Sequence, residues 1–188
     1  MKRMLATAAA ATVMCATPLA ANAVVFQFNA NLSATNEVPP NASTATGIAT
    51  LFYDDKGSAL TSDDSYSFAL SAFGLSGVAT GAHIHAPAPP AVNAPIVVPL
   101  DNLPFVIFNS GGTLLIGGNN VAPPYASFLS QLQAGLTYVN IHTALRPGGE
   151  IRGQLLPVAA VPEPETYALM LAGLAAVGAM ARRRGAKT

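Results

Sequence analysis

The sequence predicts an all-β protein, an antiparallel β-sandwich or Greek-key barrel with one short internal helix, between an N-terminal signal helix and a C-terminal transmembrane helix. Three observations support this prediction. Apolar and polar residues alternate in several short segments, with the period of two that is typical of half-buried strands. Glycine, proline and asparagine separate these segments, as in sandwiches and barrels. Largely apolar stretches lie near both ends, at residues 4–16 and 167–181.

The composition indicates one domain of ordinary size with an acidic balance. The chain has 188 residues, of which 51% are hydrophobic and 10% are charged. That charged fraction is far below the roughly 25% of a typical soluble protein, which argues against a disordered chain. Between residues 24 and 161, three basic residues stand against seven acidic ones, a net charge of −4. Nucleic-acid binding needs clustered cations, so no nucleic-acid partner is expected.

The first 23 residues have the three parts of a secretory signal. Lys2 and Arg3 form the basic end, residues 4–16 form the apolar centre, and Ala21-Asn22-Ala23 supplies small residues for cleavage. The alternative, a buried N-terminal helix, fits poorly because strand-like alternation starts immediately afterwards. Cys15 is the only cysteine and would leave with the signal. The mature chain is then expected to have no disulfide, thiolate metal site or cysteine nucleophile.

Three strands are predicted in the first part of the domain. Residues 26–33 alternate between apolar and polar types before Pro39-Pro40 breaks the pattern. Residues 48–53 form the second strand, which ends at an aspartate-rich turn. In the third strand, residues 65–71, two aromatic side chains and a leucine alternate with serine and alanine.

The rest of the domain is predicted to contain five shorter strands and one helix. Four prolines make residues 86–95 a stiff loop, and Gly148-Gly149 is expected to form a hairpin turn. The helix is expected over 124–134, because prolines open this segment and Gly135 follows it. The five strands are expected at residues 81–85, 96–100, 105–108, 136–142 and 150–156.

All three histidines of the chain lie in two of these strands. His83 and His85 are two residues apart, so both rings leave the same face while Ile84 points into the core. His142 shares a face with Tyr138 and Asn140. If the two strands are neighbours, three imidazoles converge outside the core.

Two interpretations of these histidines remain open. In the one that the sequence favours, the imidazoles and their polar neighbours form a hydrogen-bonded ladder between strands. In the other, His83, His85 and His142 bind one Zn²⁺ or Cu²⁺ ion, with Tyr138 and Asn140 as outer partners. The His-Ile-His strand resembles the copper-ligand strand of copper/zinc superoxide dismutases. Those enzymes need several more histidines for two metals, so a two-metal dismutase is excluded.

Charged residues supply two weaker candidates for binding. Glu150 and Arg152 share a strand face and form a candidate charge pair, either for a ligand carboxylate or sugar or simply as a salt bridge. The pairs Asp54-Asp55 and Asp63-Asp64 are candidate Ca²⁺ ligands, although solvated loop aspartates are the commoner case. No Gly-x-Ser-x-Gly nucleophile motif occurs, so the sequence favours a protein without catalytic activity.

Three blocks of sequence resemble the CHRD domain, a module first recognised in chordin and common in secreted bacterial proteins. They are residues 32–40 (LSATNEVPP), residues 74–77 (GLSG) leading to 82–85 (AHIH), and residues 138–143 (YVNIHT) running to 147–155 (PGGEIRGQL). The resemblance covers roughly residues 26–157. One departure is the segment 92–121, which is longer and richer in asparagine and glycine than the family pattern. The resemblance implies a fold more clearly than a biochemical activity.

The C-terminal segment combines three features in a fixed order. Pro162-Glu163-Pro164 precedes an uncharged span, residues 167–181, which ends at Arg182, Arg183 and Arg184. As a helix, the span would be about 22 Å long, shorter than the roughly 30 Å hydrocarbon core of a membrane. The segment resembles the PEP-CTERM sorting signal of Gram-negative bacteria. This resemblance implies transient membrane anchoring, processing by an exosortase-type enzyme, and delivery to the cell surface or extracellular matrix.

The expected organisation is therefore a signal peptide at 1–23, a CHRD-like β domain at 24–158 and a sorting signal at 159–188. Two functions are compatible with it. One is a non-catalytic binding or structural module that contacts an exopolysaccharide or a surface protein. The alternative is a small envelope protein that binds one Cu or Zn ion through its histidines, with a redox or scavenging role.

Overall fold

The computed structural model describes residues 23–102, 104–159, 169–175, 177 and 182. Antiparallel strands dominate the described residues of the domain, 23–159, together with one 3₁₀ turn at Ala34–Asn36 and one short helix, α1, at Phe128–Gln133. The strands are β1 Val25–Ser33, β2 Thr46–Asp54, β3 Ser65–Phe73, β4 Ala79–His85, β5 Ile96–Pro99, β6 Val106–Ser110, β7 Thr113–Val121, β8 Tyr138–Thr143, β9 Arg146–Gln154 and β10 Leu156–Pro157.

The strands form one continuous antiparallel sheet that folds around a single core. Their order is β5-β4-β8-β9-β1-β2-β3-β7-β6, with β10 paired to β1. The pairing between β9 and β1 is limited to one position, where Ser33 lies opposite Arg152. The two halves of the sheet face each other across the core, and Ile151 of β9 packs close to Gly47 of β2. The result is a sandwich-like half-barrel, which agrees with the predicted all-β antiparallel class.

The alternation seen in the sequence sets which side chains enter the core. In β1, Phe28, Ala30 and Leu32 are buried, whereas the asparagines between them are exposed. In the other half of the sheet, the core side chains are Ile84, Val139, Ile141 and Ile151, all fully buried. Because neighbouring side chains on a strand point to opposite faces, β4, β8 and β9 turn their polar residues outwards.

The internal helix is shorter than expected. The sequence predicted residues 124–134, and α1 covers Phe128–Gln133. Only two of its side chains, Phe128 and Leu132, are buried. These residues are one helical turn apart, so one turn is enough to cover the core. Gly135, with φ of +66°, follows the helix as expected.

Two strands, β7 and β10, were not predicted as separate strands, and one turn was misplaced. β7 lies at the end of the segment 92–121, beyond the strands predicted there at 96–100 and 105–108, and it pairs with β3 and β6. The positive φ angles of Gly111 and Gly112 allow the tight turn between β6 and β7. The last hairpin turns at Ala144-Leu145, because Thr143 pairs with Arg146. Gly149 instead lies inside β9, where a Cβ atom would lie 2.6 Å from the Glu37 carboxylate oxygens.

The predicted terminal helices lie largely outside the described residues. This applies to residues 1–22 of the signal, to Pro162-Glu163-Pro164, and to Arg183 and Arg184. Residues 169–175 are helical. None of the described helices has the length and hydropathy of a membrane span. The predicted transmembrane helix, at 167–181, falls partly on residues outside the described set.

Candidate functional site

The outer face of β4, β8 and β9 carries a compact set of polar side chains. β4 and β8 are paired, with His83 opposite Asn140 and His85 opposite Tyr138. β8 and β9 are also paired, with Asn140 opposite Arg152. The proline-rich loop 86–95 contacts this face, since the Ala94 carbonyl lies 2.8 Å from Nδ1 of His85. The face therefore combines residues from three strands and one stiff loop.

The three histidines come together on this face. One ring nitrogen from each of His83, His85 and His142 lies within 4.8 Å of the other two. The ring centroids of His83 and His142 are 5.0 Å apart, and those of His83 and His85 are 5.7 Å apart. His85 is buried, and the other two are half-buried. We call these three residues the histidine triad.

Asn140 and two backbone carbonyls orient two of the three rings. Nδ1 of His85 faces the Ala94 carbonyl, and Nδ1 of His142 faces the Pro147 carbonyl at 3.0 Å. Nε2 of each ring lies 3.0 Å from Oδ1 of the Asn140 side chain, so each ring has an acceptor oxygen next to both of its nitrogens. A neutral imidazole carries one N–H, so donation from Nδ1 to the carbonyl would leave the Nε2 lone pair facing Oδ1 of Asn140. With that tautomer, a metal ion would take Nε2 while the backbone carbonyl holds Nδ1.

His83 lacks such partners. Its Nδ1 is buried and has no hydrogen-bond partner among the described residues. Burial lowers the pKa of His83, and the nearby His142 lowers it further, while the charge of Asp101 opposes both effects. Burial is also the largest cause of the lowered pKa of His85. Both rings are therefore held in the neutral form, which is the form that binds metal ions.

Gly81 leaves room for the His83 ring. A Cβ atom at position 81 would lie 2.9 Å from Cε1 of His83 and 3.3 Å from its Nε2. Any larger residue at position 81 would displace the imidazole. Neither Gly81 nor Asp101 forms part of a ligand-spacing pattern, so the sequence alone did not point to either residue.

Tyr138 connects the triad to Arg152. Its ring stacks on His85 with a centroid distance of 4.7 Å and an interplanar angle of 2°. The guanidinium carbon of Arg152 lies 3.3 Å from the centroid of the Tyr138 ring. The Ala94 N–H donates to the Tyr138 hydroxyl at 3.1 Å. Tyr138 therefore orients His85 by stacking and fixes the loop above it.

Glu150 and Arg152 share a face but do not pair with each other. Among the described residues, no carboxylate lies within 4.0 Å of the Arg152 guanidinium. Its nitrogens donate instead to the Val92 carbonyl at 2.7 Å and to the Asn93 side chain at 3.1 Å. The salt bridge considered from the sequence is absent because each charged group has neutral partners of its own.

Glu150 is fully buried within a set of hydroxyl groups. Its carboxylate accepts hydrogen bonds from the side chains of Ser43, Ser76 and Thr143 at 2.6–2.7 Å, and from the Ser76 N–H at 2.8 Å. Burial acts to raise the pKa of Glu150, but these donors outweigh it and the pKa is lowered. Glu150 is therefore ionised, and its hydrogen bonds connect the segments that carry Ser43, Ser76 and Thr143.

The four loop aspartates are satisfied by protein donors. Asp54 pairs with Lys56, and the Asp55 carboxylate accepts from the backbone N–H groups of Val24 and Gly57. Asp63 accepts from Ser58, and Asp64 accepts from the buried Tyr53 hydroxyl. A shared metal ion needs three or more histidine, cysteine, aspartate or glutamate side chains close together. Among the described residues, the histidine triad is the group that meets this condition. The candidate Ca²⁺ ligands are not brought together in this way.

The fold and the tail together define an exported β-domain protein that carries its own sorting signal. The CHRD domain family matches residues 28–155, and the PEP-CTERM protein-sorting motif matches residues 160–184. The chain therefore belongs to the CHRD domain family. Its PEP-CTERM signal marks it for export, transient membrane anchoring, processing by an exosortase and delivery to the cell surface. Searches of curated proteins and of solved structures found no match.

Proposed function

We propose that the exported domain binds one Zn²⁺ or Cu²⁺ ion through His83, His85 and His142. The observation that carries this proposal is the convergence of three ring nitrogens within 4.8 Å. Around a tetrahedral ion with metal–nitrogen bonds of about 2.0–2.1 Å, the ligand nitrogens lie about 3.4 Å apart. Small side-chain rotations would bring the triad to that spacing. Three histidines leave a fourth position open, which suits scavenging of an ion and, with copper, redox chemistry.

The buried Nδ1 of His83 supports a metal site over a purely structural ladder. A ladder should satisfy each buried ring nitrogen, and this one has no partner among the described residues. In the metal-bound form, the Asn140 amide would release Nε2 of His85 and His142. The Ala94 and Pro147 carbonyls would continue to fix both rings.

The second candidate is a non-catalytic binding or structural module without metal. It is favoured by Asn140, whose amide joins His85 and His142 and so links β4 to β8. In that case the polar face stabilises strand pairing, and the binding partner, an exopolysaccharide or a surface protein, contacts another part of the domain.

Metal content separates the two candidates. We expect the protein matured in its own host to contain about one Zn or Cu ion per chain by elemental analysis. Replacing any one histidine of the triad with alanine should weaken metal binding by at least about 100-fold, because loss of a ligand exceeds the effect of losing an outer partner. Gly81→Ala should weaken binding by about tenfold, because its Cβ displaces the His83 ring.

The matched control is Asn119→Ala, an exposed change away from the triad that should leave metal binding unchanged. Binding should also weaken in acid, because a protonated imidazole has no lone pair for the ion. Absence of metal in the matured protein, together with no uptake of added Zn²⁺ or Cu²⁺, would contradict the metal site and favour the ladder.

We further propose that processing at both ends releases the domain, with boundaries at 1–23, 24–158 and 159–188. The support is the order of the Pro-Glu-Pro motif, the apolar span and the arginine cluster. We expect the intact mass of the surface-released protein to correspond to roughly residues 24–162. Retention of residues 170–188 in that protein would contradict processing.

A further inference from the structure

A cleft of about 430 Å³ lies beside the polar face, between β1, the turn that follows it and the loop 86–95. None of the three histidines lines it. Seven of its twelve lining residues are polar or charged, and the other five are valine, proline, alanine or leucine. The polar lining residues are Asn29, Asn31, Thr35, Asn36, Glu37, Arg152 and Gln154.

Two buried ionisable residues lie in the wall of this cleft. Arg152 is 2% exposed and Glu37 is 5% exposed. Arg152 has five N–H groups, and two of them have partners among the described residues. Oε1 of Glu37 is buried and has no hydrogen-bond partner in the described part of the chain. Buried polar groups normally have hydrogen-bond partners. Both residues therefore have hydrogen-bonding atoms left over for a ligand in this cleft.

We propose that this cleft binds an acidic sugar, a uronic acid unit of a polysaccharide, with Arg152 as the cation that attracts its carboxylate. Guanidinium–carboxylate hydrogen bonds are among the strongest in proteins, and this guanidinium has no carboxylate within 4.0 Å. Side-chain amides both donate and accept, so those of Asn29 and Asn31 suit the hydroxyl groups of a sugar. Gln154 donates its two N–H groups to the Ala88 and Gly135 carbonyls, so it offers only its side-chain oxygen, as an acceptor.

Glu37 makes the site sensitive to pH. Burial raises the pKa of Glu37 to about 7, although the Arg152 charge and the Val38 N–H lower it. Arg152 is the other ionisable residue in the lining. Above pH 7 an ionised Glu37 opposes an anionic ligand, whereas below pH 7 a protonated Glu37 leaves the positive charge of Arg152 unopposed.

The test is calorimetric titration of the matured protein with trigalacturonate, with uncharged maltotriose and with acetate. We expect trigalacturonate to bind at least about tenfold more tightly than either control ligand. Arg152→Gln should reduce this affinity at least about tenfold, with circular dichroism showing whether the variant folds. Because Arg152 is buried, Asn31→Ala provides a second variant at an exposed position. It should weaken binding severalfold, whereas Asn119→Ala should not.

Trigalacturonate should bind more weakly at pH 8 than at pH 6, and Glu37→Gln should reduce that difference. His83→Ala and chelator treatment should leave sugar binding unchanged. The experiment can therefore contradict the sugar site without contradicting the metal site, and the reverse. Equal binding of maltotriose would overturn the role of the charge, and equal binding of acetate would overturn recognition of a sugar. Equal effects of Asn31→Ala and Asn119→Ala would overturn the location.

Discussion

Ile84→Asp is expected to unfold the domain. Ile84 lies in β4 between two histidines and is fully buried. It is paired with Val98 on β5 and with Val139 on β8, the two adjacent strands. An aspartate there would lose the apolar contacts and bury a carboxylate without a partner. The cost is about 5 kcal/mol or more, against a total stability of about 5–15 kcal/mol for a typical domain. Urea denaturation followed by circular dichroism measures the loss.

Asn31→Asp is the control for this prediction. Asn31 is exposed on the outer face of β1, so the change in the free energy of unfolding should stay within about 0.5 kcal/mol. A folded Ile84→Asp protein with near-normal stability would contradict the placement of β4 against the core.

The sequence predicts the strands that alternate and fails where alternation is weak. β1, β2 and β3 were found within a few residues of their ends, because each places apolar side chains on one face at every second position. β7 was missed since Gly117, Gly118, Asn119 and Asn120 interrupt its pattern. Its position depends on pairing with β3 and β6, which residue types alone do not determine. The Gly111-Gly112 pair was a usable hairpin signal.

The polar face shows the same division between local and long-range information. Period two places His83, His85 and His142 outside the core, but only the pairing of β4 with β8 brings them together. The contacts of Arg152 could not be predicted, since Asn93 and Tyr138 reach it from a loop and a neighbouring strand. Glu37 is separated from Gly149 by more than a hundred residues and meets it through the fold.

The three sequence blocks that resemble the CHRD pattern meet around β9, which carries Glu150. Ser76 comes from the GLSG block, and Thr143 comes from the end of the YVNIHT block. The LSATNEVPP block contributes Glu37, against Gly149, and Asn36, whose amide donates to the Arg152 carbonyl at 3.1 Å. Blocks far apart in the sequence thus meet around β9, beside the buried Glu150 carboxylate.

Glu150→Ala should therefore be among the most destabilising single changes in the domain. It would leave three hydroxyl groups and the Ser76 N–H without their acceptor. Since buried donors without partners are costly, we expect a loss of about 3–5 kcal/mol in the free energy of unfolding, measured by urea denaturation. Glu150→Gln keeps one acceptor oxygen and should lose less. Asp63→Ala removes an exposed carboxylate and should change stability by less than about 0.5 kcal/mol.

The pH dependence gives this prediction a second test. Because folding lowers the pKa of Glu150, the unfolded chain takes up a proton at this carboxyl before the folded chain does. The stabilisation is therefore complete above the unfolded pKa, about 4.3, and is lost as pH falls through the folded value. Glu150→Gln has no such group, so its stability should approach that of the unaltered protein in acid. Two stability curves that stay parallel from pH 7 to pH 3 would show that the Glu150 charge is not what holds these blocks together.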